Sequence, residues 1–198
     1  MQLQNTVLKA AKVPVPSPSD TADVTCTPGP ARQSLAADTL IETATGMRPL
    51  QNLTVGEKVM TRAGTFQPIT GIIHTHFTTS QLQDTPDLAP IRFDPGALPG
   101  MPEDTATLVS PDCPIAWAEG ANGIDHFPAR AFCDGGLIRR VIPEDGIHYI
   151  RLLFATPQEI CAGNIWLELS REDRSDAGRS CRVPKLVQEI RVFRPMRA

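Results

Sequence analysis

From residue 34 onward, apolar residues occur in short runs that are separated by turn signals. Such runs are typical of β-strands, and the glycines between them supply the positive φ that tight hairpin turns need. The spacing favours antiparallel pairing, because parallel strands need a crossover of a dozen or more residues. We therefore predict a mainly β fold, compact, curved and antiparallel, over about residues 34–170. The predicted strands are 39–43, 58–61, 66–76, 89–93, 106–110, 114–118, 136–142 and 147–155.

The two ends of the chain have a different pattern. Residues 1–33 contain VPVPSPS and CTPGPAR, and proline-rich segments of this kind favour extended, solvated backbone. We predict a disordered leader there, with a weak helix signal at 6–12. Residues 171–198 are predicted to form a charged loop and a terminal segment that packs on the body. Residues 183–193 fit a helix by their apolar spacing, whereas the end of this stretch, 190–192, alternates as a strand does, so both interpretations stay open.

Composition and charge narrow the function classes. The 198 residues include 19 Lys plus Arg and 22 Asp plus Glu, which gives a formal net charge of −3. A nucleic-acid partner is not expected, because such binders carry a basic excess. No apolar run is long enough to span a membrane, and the N-terminus lacks the apolar core of a signal peptide. We expect a cytoplasmic location or export by a route without an N-terminal signal; oligomeric state stays open.

The five cysteines are scattered along the chain. They are Cys26, Cys113, Cys133, Cys161 and Cys181. No two of them form the Cys-x-x-Cys pair that clips a metal ion, and an odd, scattered set indicates reduced thiols. We predict no cofactor and no resident metal from this pattern.

Three blocks of sequence, in order, resemble a known family. The first is SLAADTLIETATGMRPLQNLTVGEKVMTRAGTFQPI at 34–69, the second is ALPGMPEDTATLVSPDCPIAW at 97–117, and the third runs from 149 to 168. Together they resemble a Hint domain, the hedgehog/intein self-processing module, in its bacterial subgroup. The resemblance implies a curved antiparallel β fold. It also implies a nucleophile at the first residue of the domain, which attacks the carbonyl of the preceding peptide bond.

The resemblance places three candidate catalytic residues: Ser34, Ser110 and Cys113. Ser34 occupies the position of the family's opening cysteine, and a serine is a poorer nucleophile with a much higher pKa. Ser110 matches the family's Thr or Ser, which stands three residues before a histidine. Cys113 stands in place of that histidine, and a neutral thiol cannot replace an imidazole near neutral pH. The alternative interpretation of Ser34 is a solvent-exposed serine at the end of a linker.

Other catalytic groups of the family are missing. The late histidine expected near Pro157 and Gln158 is absent, and no terminal His-Asn pair is present for splicing by Asn cyclisation. We therefore predict a degenerate, non-splicing Hint-type module that serves as an accessory or interaction domain with an unknown protein partner. A first alternative is self-cleavage at the Gln33–Ser34 bond through an ester. Such a domain would process itself and would not be a turnover enzyme.

Histidines suggest two further hypotheses. His74 and His76 stand two apart in a predicted strand and therefore share one face, which makes a metal- or partner-binding β module the second alternative. The sequence places no third ligand beside them, so exposed edge-strand histidines are the simpler interpretation. Asp125 and His126 invite a Ser/His/Asp hypothesis with Ser110, but no Gly-x-Ser-x-Gly elbow accompanies them.

Overall fold

A computed structural model describes residues 32–98, 105–118, 123–163 and 165–169. The predicted leader, apart from Arg32 and Gln33, lies outside the described residues, and so does the predicted segment 171–198. No helix in the described part of the chain is long and apolar enough to cross a membrane.

The described residues form fourteen short strands and few helical turns. In chain order the strands are β1 (Leu35–Ala36), β2 (Leu40–Thr43), β3 (Gly46–Pro49), β4 (Lys58–Met60), β5 (Phe66–Pro68), β6 (Gly71–Phe77), β7 (Ile91–Phe93), β8 (Thr107–Val109), β9 (Pro114–Ala118), β10 (Ile124–Pro128), β11 (Ile138–Arg140), β12 (Ile147–Leu153), β13 (Gln158–Ala162) and β14 (Ile165–Leu169). One α-helix, α1, spans Thr79–Asp84, and 3-10 turns span Leu50–Asn52, Pro86–Leu88 and Ala129–Phe132. The predicted mainly β class is confirmed.

The strands form two antiparallel sheets. The first sheet has the order β11-β7-β8-β1-β12-β6, and the second has the order β10-β9-β14-β13-β2-β4-β5, with β3 paired to β2. The short strand β1 therefore lies inside the first sheet, between β8 and β12. This position fixes the start of the domain against two other segments of the chain.

Apolar side chains from both sheets form one core. Its fully buried members come from the first sheet, from the second and from the connecting turns; they include Leu35, Ile91, Val109, Ile150, Ile41, Val59, Ile115, Leu167 and Leu50. Burial of an aliphatic side chain of this size contributes about 1.5–3 kcal/mol. The core thus holds both sheets, including β1, in one unit.

One predicted strand is in fact two. The sequence predicts a single strand over 66–76, but Phe66–Pro68 pairs with β4 in the second sheet, and Gly71–Phe77 pairs with β12 in the first. Ile69, which is buried between them, donates its N–H to Glu57 O at 2.8 Å. The next residue, Thr70, donates to Leu153 O at 2.8 Å. The chain changes sheets at this point, which a run of apolar residues does not reveal.

Strands β1, β3, β10, β13 and β14 and helix α1 are absent from the predicted ranges. The first two residues of β10, Ile124 and Asp125, are exposed, and the polar Asp125 and His126 interrupt the apolar run that would mark a buried strand. Helix α1 begins with a capping box: Gln81 N–H donates to Thr78 Oγ1 at 3.3 Å, and Thr78 N–H donates to Gln81 Oε1 at 2.9 Å. The Thr-x-x-Gln spacing at 78–81 is the sequence signal that could have predicted this start.

Candidate functional site

Ser34 and Ser110 lie together, although they are far apart in the sequence. Leu35 of β1 pairs with Val109 of β8, so the residues that flank this pair, Ser34 and Ser110, continue the same antiparallel register. The Ser34 N–H donates to Ser110 Oγ at 3.0 Å, and the Ser110 N–H donates to Ser34 O at 2.8 Å. The Ser110 hydroxyl therefore contacts the nitrogen of the Gln33–Ser34 peptide bond.

Both serines are buried. Ser34 is 2% exposed and Ser110 is 0% exposed, so the interpretation of Ser34 as a solvent-exposed linker residue is wrong. The Ser34 hydroxyl donates to Arg32 O at 3.2 Å. Two hydrogen bonds with Ser110 and the packing of the adjacent Leu35 hold Ser34 inside the fold.

The residue before Ser34 has an unusual backbone. Gln33 has φ +56°, and it is the one non-glycine residue with positive φ in the described part of the chain. This conformation costs an ordinary L-residue about 1–2 kcal/mol. Residues in such conformations cluster at functional sites, where the surrounding structure holds them in place. The strained residue is directly before the Gln33–Ser34 peptide bond.

Cys113 is held close to Ser110 by the turn after β8. The Cys113 N–H donates to Ser110 O at 3.0 Å, and Cys113 O accepts from Ala129 N–H at 2.9 Å. Its side chain is fully buried, and this burial raises the pKa of the thiol far above its usual value. The thiol therefore stays protonated and neutral. An ion pair between Asp112 and Arg130 braces the same turn.

A family model described as the Hint domain matches residues 33–173. The chain belongs to the Hint domain family. Solved structures with similar folds include a bacterial intein-like domain from Clostridium thermocellum, at 12% identity and TM-score 0.46, which covers 71% of this chain and 100% of that chain. The gp41-1 intein is similar at 10% identity and TM-score 0.42, covering 68% and 96%. No curated protein matches the chain at a significant level.

In this Hint domain the position predicted for the late histidine carries an amide. Gln158 begins β13, and its side-chain N–H donates to Thr156 Oγ1 at 2.7 Å. His126 of β10 faces two carboxylates, with Nε2 2.9 Å from Glu159 Oε1 and Nδ1 3.9 Å from Glu168 Oε2. These contacts give no support to a Ser/His/Asp site with Ser110.

The remaining three histidines of the Hint domain gather on β6 and β12. His148 is the register partner of His76, and its ring contacts both His74 and His76. Partial burial, and then the neighbouring His76 and His74, lower the pKa of His148. Sequence analysis missed His148 as a member of this group, because only the pairing register of two distant strands brings it there.

Proposed function

We propose that this Hint domain is a degenerate, non-splicing module that is retained as an accessory or interaction domain. The observation that carries the proposal is the burial of the Cys113 thiol. The family's histidine position is filled by a thiol that burial keeps neutral, so it cannot give a proton to a departing amide nitrogen as an imidazolium does. Around it, Ser34 and Ser110 are joined by two hydrogen bonds, and the Cys113 N–H donates to Ser110 O. Residues 165–198 contain neither Asn nor His.

A second candidate function is slow self-cleavage at the Gln33–Ser34 bond. Two observations favour it: the Ser110 hydroxyl lies 3.0 Å from the Ser34 nitrogen, and Gln33 has a strained backbone. Ser34 Oγ would attack the Gln33 carbonyl carbon, forming an ester as the C–N bond breaks. The hydroxyl proton of Ser34 would pass to the new amine of the same residue. Water or hydroxylamine would then cleave the ester and release residues 1–33.

Intact mass spectrometry of the full chain distinguishes the two. The proposal predicts that the 21.5 kDa species persists after long incubation, with and without hydroxylamine. Release of a fragment ending at Gln33 would contradict it and would support self-cleavage. In that case Ser34→Ala should abolish the fragment, and Ser110→Ala should slow its formation by about 10²-fold, the typical contribution of a proton-transferring group.

A gain-of-function variant tests the reason for the loss. Ser34→Cys together with Cys113→His restores the nucleophile and the imidazole that the family uses, so hydroxylamine-sensitive cleavage before residue 34 is expected in folded protein. The matched control combines Ser34→Ala with Cys113→His, which keeps the imidazole but has no nucleophile. Equal fragment yields from the two double variants would show that cleavage does not proceed through residue 34.

A further inference from the structure

Three imidazoles form a cluster at the edge of the first sheet. His74 Nδ1 and His148 Nε2 are hydrogen-bonded at 2.9 Å, and the rings of His76 and His148 stack with centroids 3.8 Å apart. His74 and His76 are exposed and His148 is partly buried. We call these three residues the histidine cluster. It takes no part in the hydrogen bonds that join Ser34, Ser110 and Cys113.

Strand geometry places all three side chains on one face. His74 and His76 are two residues apart on β6, so they point to the same side. His148 is directly opposite His76 across the antiparallel pair, where β-carbons are about 4.5–5.5 Å apart. His148 is thus opposite His76 and diagonal to His74, and the three side chains lie on the same face of the sheet.

The shared hydrogen bond indicates how an ion could enter. In the bond between His74 and His148 one nitrogen keeps its proton and the other offers its lone pair. If the donating ring changes to its other tautomer, with the proton on its other nitrogen, both facing nitrogens offer lone pairs and a divalent ion between them would be bound by both. Zinc with Zn–N bonds of about 2.0–2.1 Å in tetrahedral geometry needs its ligand nitrogens about 3.3 Å apart. The observed 2.9 Å thus has to open by only a few tenths of an ångström.

The third ligand requires a side-chain movement. Among the described residues, no three His, Cys, Asp or Glu side chains are already arranged to hold a metal ion. His76 is exposed on an edge strand, so its ring can leave the stack with His148 by rotation about its side-chain bonds without disturbing the core. An open hollow of about 510 Å³ lies beside His76 and His148. Glu144 and Asp145 also line it, and their carboxylates would attract a cation into it.

We propose that His74, His76 and His148 form a binding site for a divalent transition-metal ion, with Zn²⁺ as the representative. Neutral imidazole is the ligand that Zn²⁺, Cu²⁺ and Ni²⁺ share, whereas Mg²⁺ and Ca²⁺ prefer oxygen. Three imidazoles leave a fourth coordination position open to water or a carboxylate. This inference goes beyond the proposed function, because it does not depend on whether the Gln33–Ser34 bond is cleaved.

Titration calorimetry and thermal unfolding of the full, metal-free chain test the site. With Zn²⁺ we expect one equivalent bound and a melting temperature that rises with Zn²⁺ concentration, because a ligand of the native state stabilises it. Mg²⁺ should produce neither effect. No heat and no change in melting temperature with Zn²⁺ would overturn the proposal.

Single variants locate the bound ion. His74→Gln, His76→Gln and His148→Gln should each weaken Zn²⁺ binding by more than about ten-fold, since even the loss of an outer partner of a ligand commonly costs that much. His126→Gln is the matched control: it removes the fourth histidine, which lies in the second sheet beside Glu159, and Zn²⁺ affinity should not change.

Two outcomes of this series would overturn the site. Unchanged Zn²⁺ affinity in the three cluster variants would assign the ion to other groups, such as the thiols of Cys133 or Cys161. A loss of affinity in the His126 variant alone would assign the ion to His126 and its carboxylates. Both variant sets substitute partly or fully exposed side chains, and the metal-free melting temperature reports whether each variant folds.

Discussion

Cys113 shows how far one residue can be interpreted before its surroundings are known. The sequence places it where the family has a histidine, and this substitution already argues against catalysis. The structure adds that the thiol is buried and that its N–H is bonded to Ser110 O. For Ser34 the structure changes the interpretation: its position after a proline-rich segment allowed an exposed linker serine, but the side chain is buried. Burial depends on what packs against a residue, which its local sequence does not state.

The reactivity of Cys113 should reflect its burial. Because burial raises the pKa of this thiol, we expect it to resist iodoacetamide in native protein at pH 8, while the exposed Cys133 is alkylated. In denaturant both should react at similar rates. Peptide mapping by mass spectrometry after timed alkylation measures this, and rapid native modification of Cys113 would contradict the buried, neutral thiol.

At the scale of elements, most strands follow from apolar runs, and the errors arise where a strand's environment changes. The run at 66–76 is continuous in sequence, yet the chain leaves one sheet for the other at Ile69 and Thr70. Strand β10 was missed because its first residues are exposed. Gly146, in the turn before β12, has φ +73°, as expected of the glycines that separate the apolar runs.

Gly146 and Gly64 form a matched pair for testing this turn. Both have φ +73°, but a β-carbon at Gly146 would lie 2.2 Å from Phe77 O, whereas one at Gly64 would meet nothing within 4 Å. Gly64→Ala should therefore cost only the conformational strain, about 1–2 kcal/mol of unfolding free energy.

Gly146→Ala should lower the unfolding free energy by more than Gly64→Ala does, because the added methyl group also pushes β6 and the turn apart. Urea unfolding of the two variants measures the difference. Equal losses of stability would show that the contact with Phe77 O is relieved without cost.

At the scale of the whole molecule, the short strand β1 connects the start of the domain to its core. Leu35 is fully buried and pairs with Val109 on one side and Ile150 on the other. The hydrogen bonds between Ser34 and Ser110 directly continue this pairing. The position of the candidate nucleophile is thus determined by three segments of chain that no local pattern links.

Truncation of Leu35 should test this dependence. Leu35→Ala leaves a cavity in the core and should lower the unfolding free energy by about 2–5 kcal/mol. Leu40→Ala is the control, since Leu40 is 42% exposed and its truncation should change stability by less than about 0.5 kcal/mol. Denaturant unfolding of both variants provides the measurement, and similar effects would contradict the role assigned to β1.

The sequence by itself determined the mainly β class, most strand positions, the family resemblance and the absence of the expected histidines. These features depend on residue type and on spacing along one strand or turn. Only the tertiary structure decided that Ser34 is buried against Ser110, that Gln33 is strained and that His148 joins His74 and His76. Each of these depends on the register between distant strands or on the packing around a residue. Such relationships are fixed by the folded core as a whole and are not encoded in any short segment.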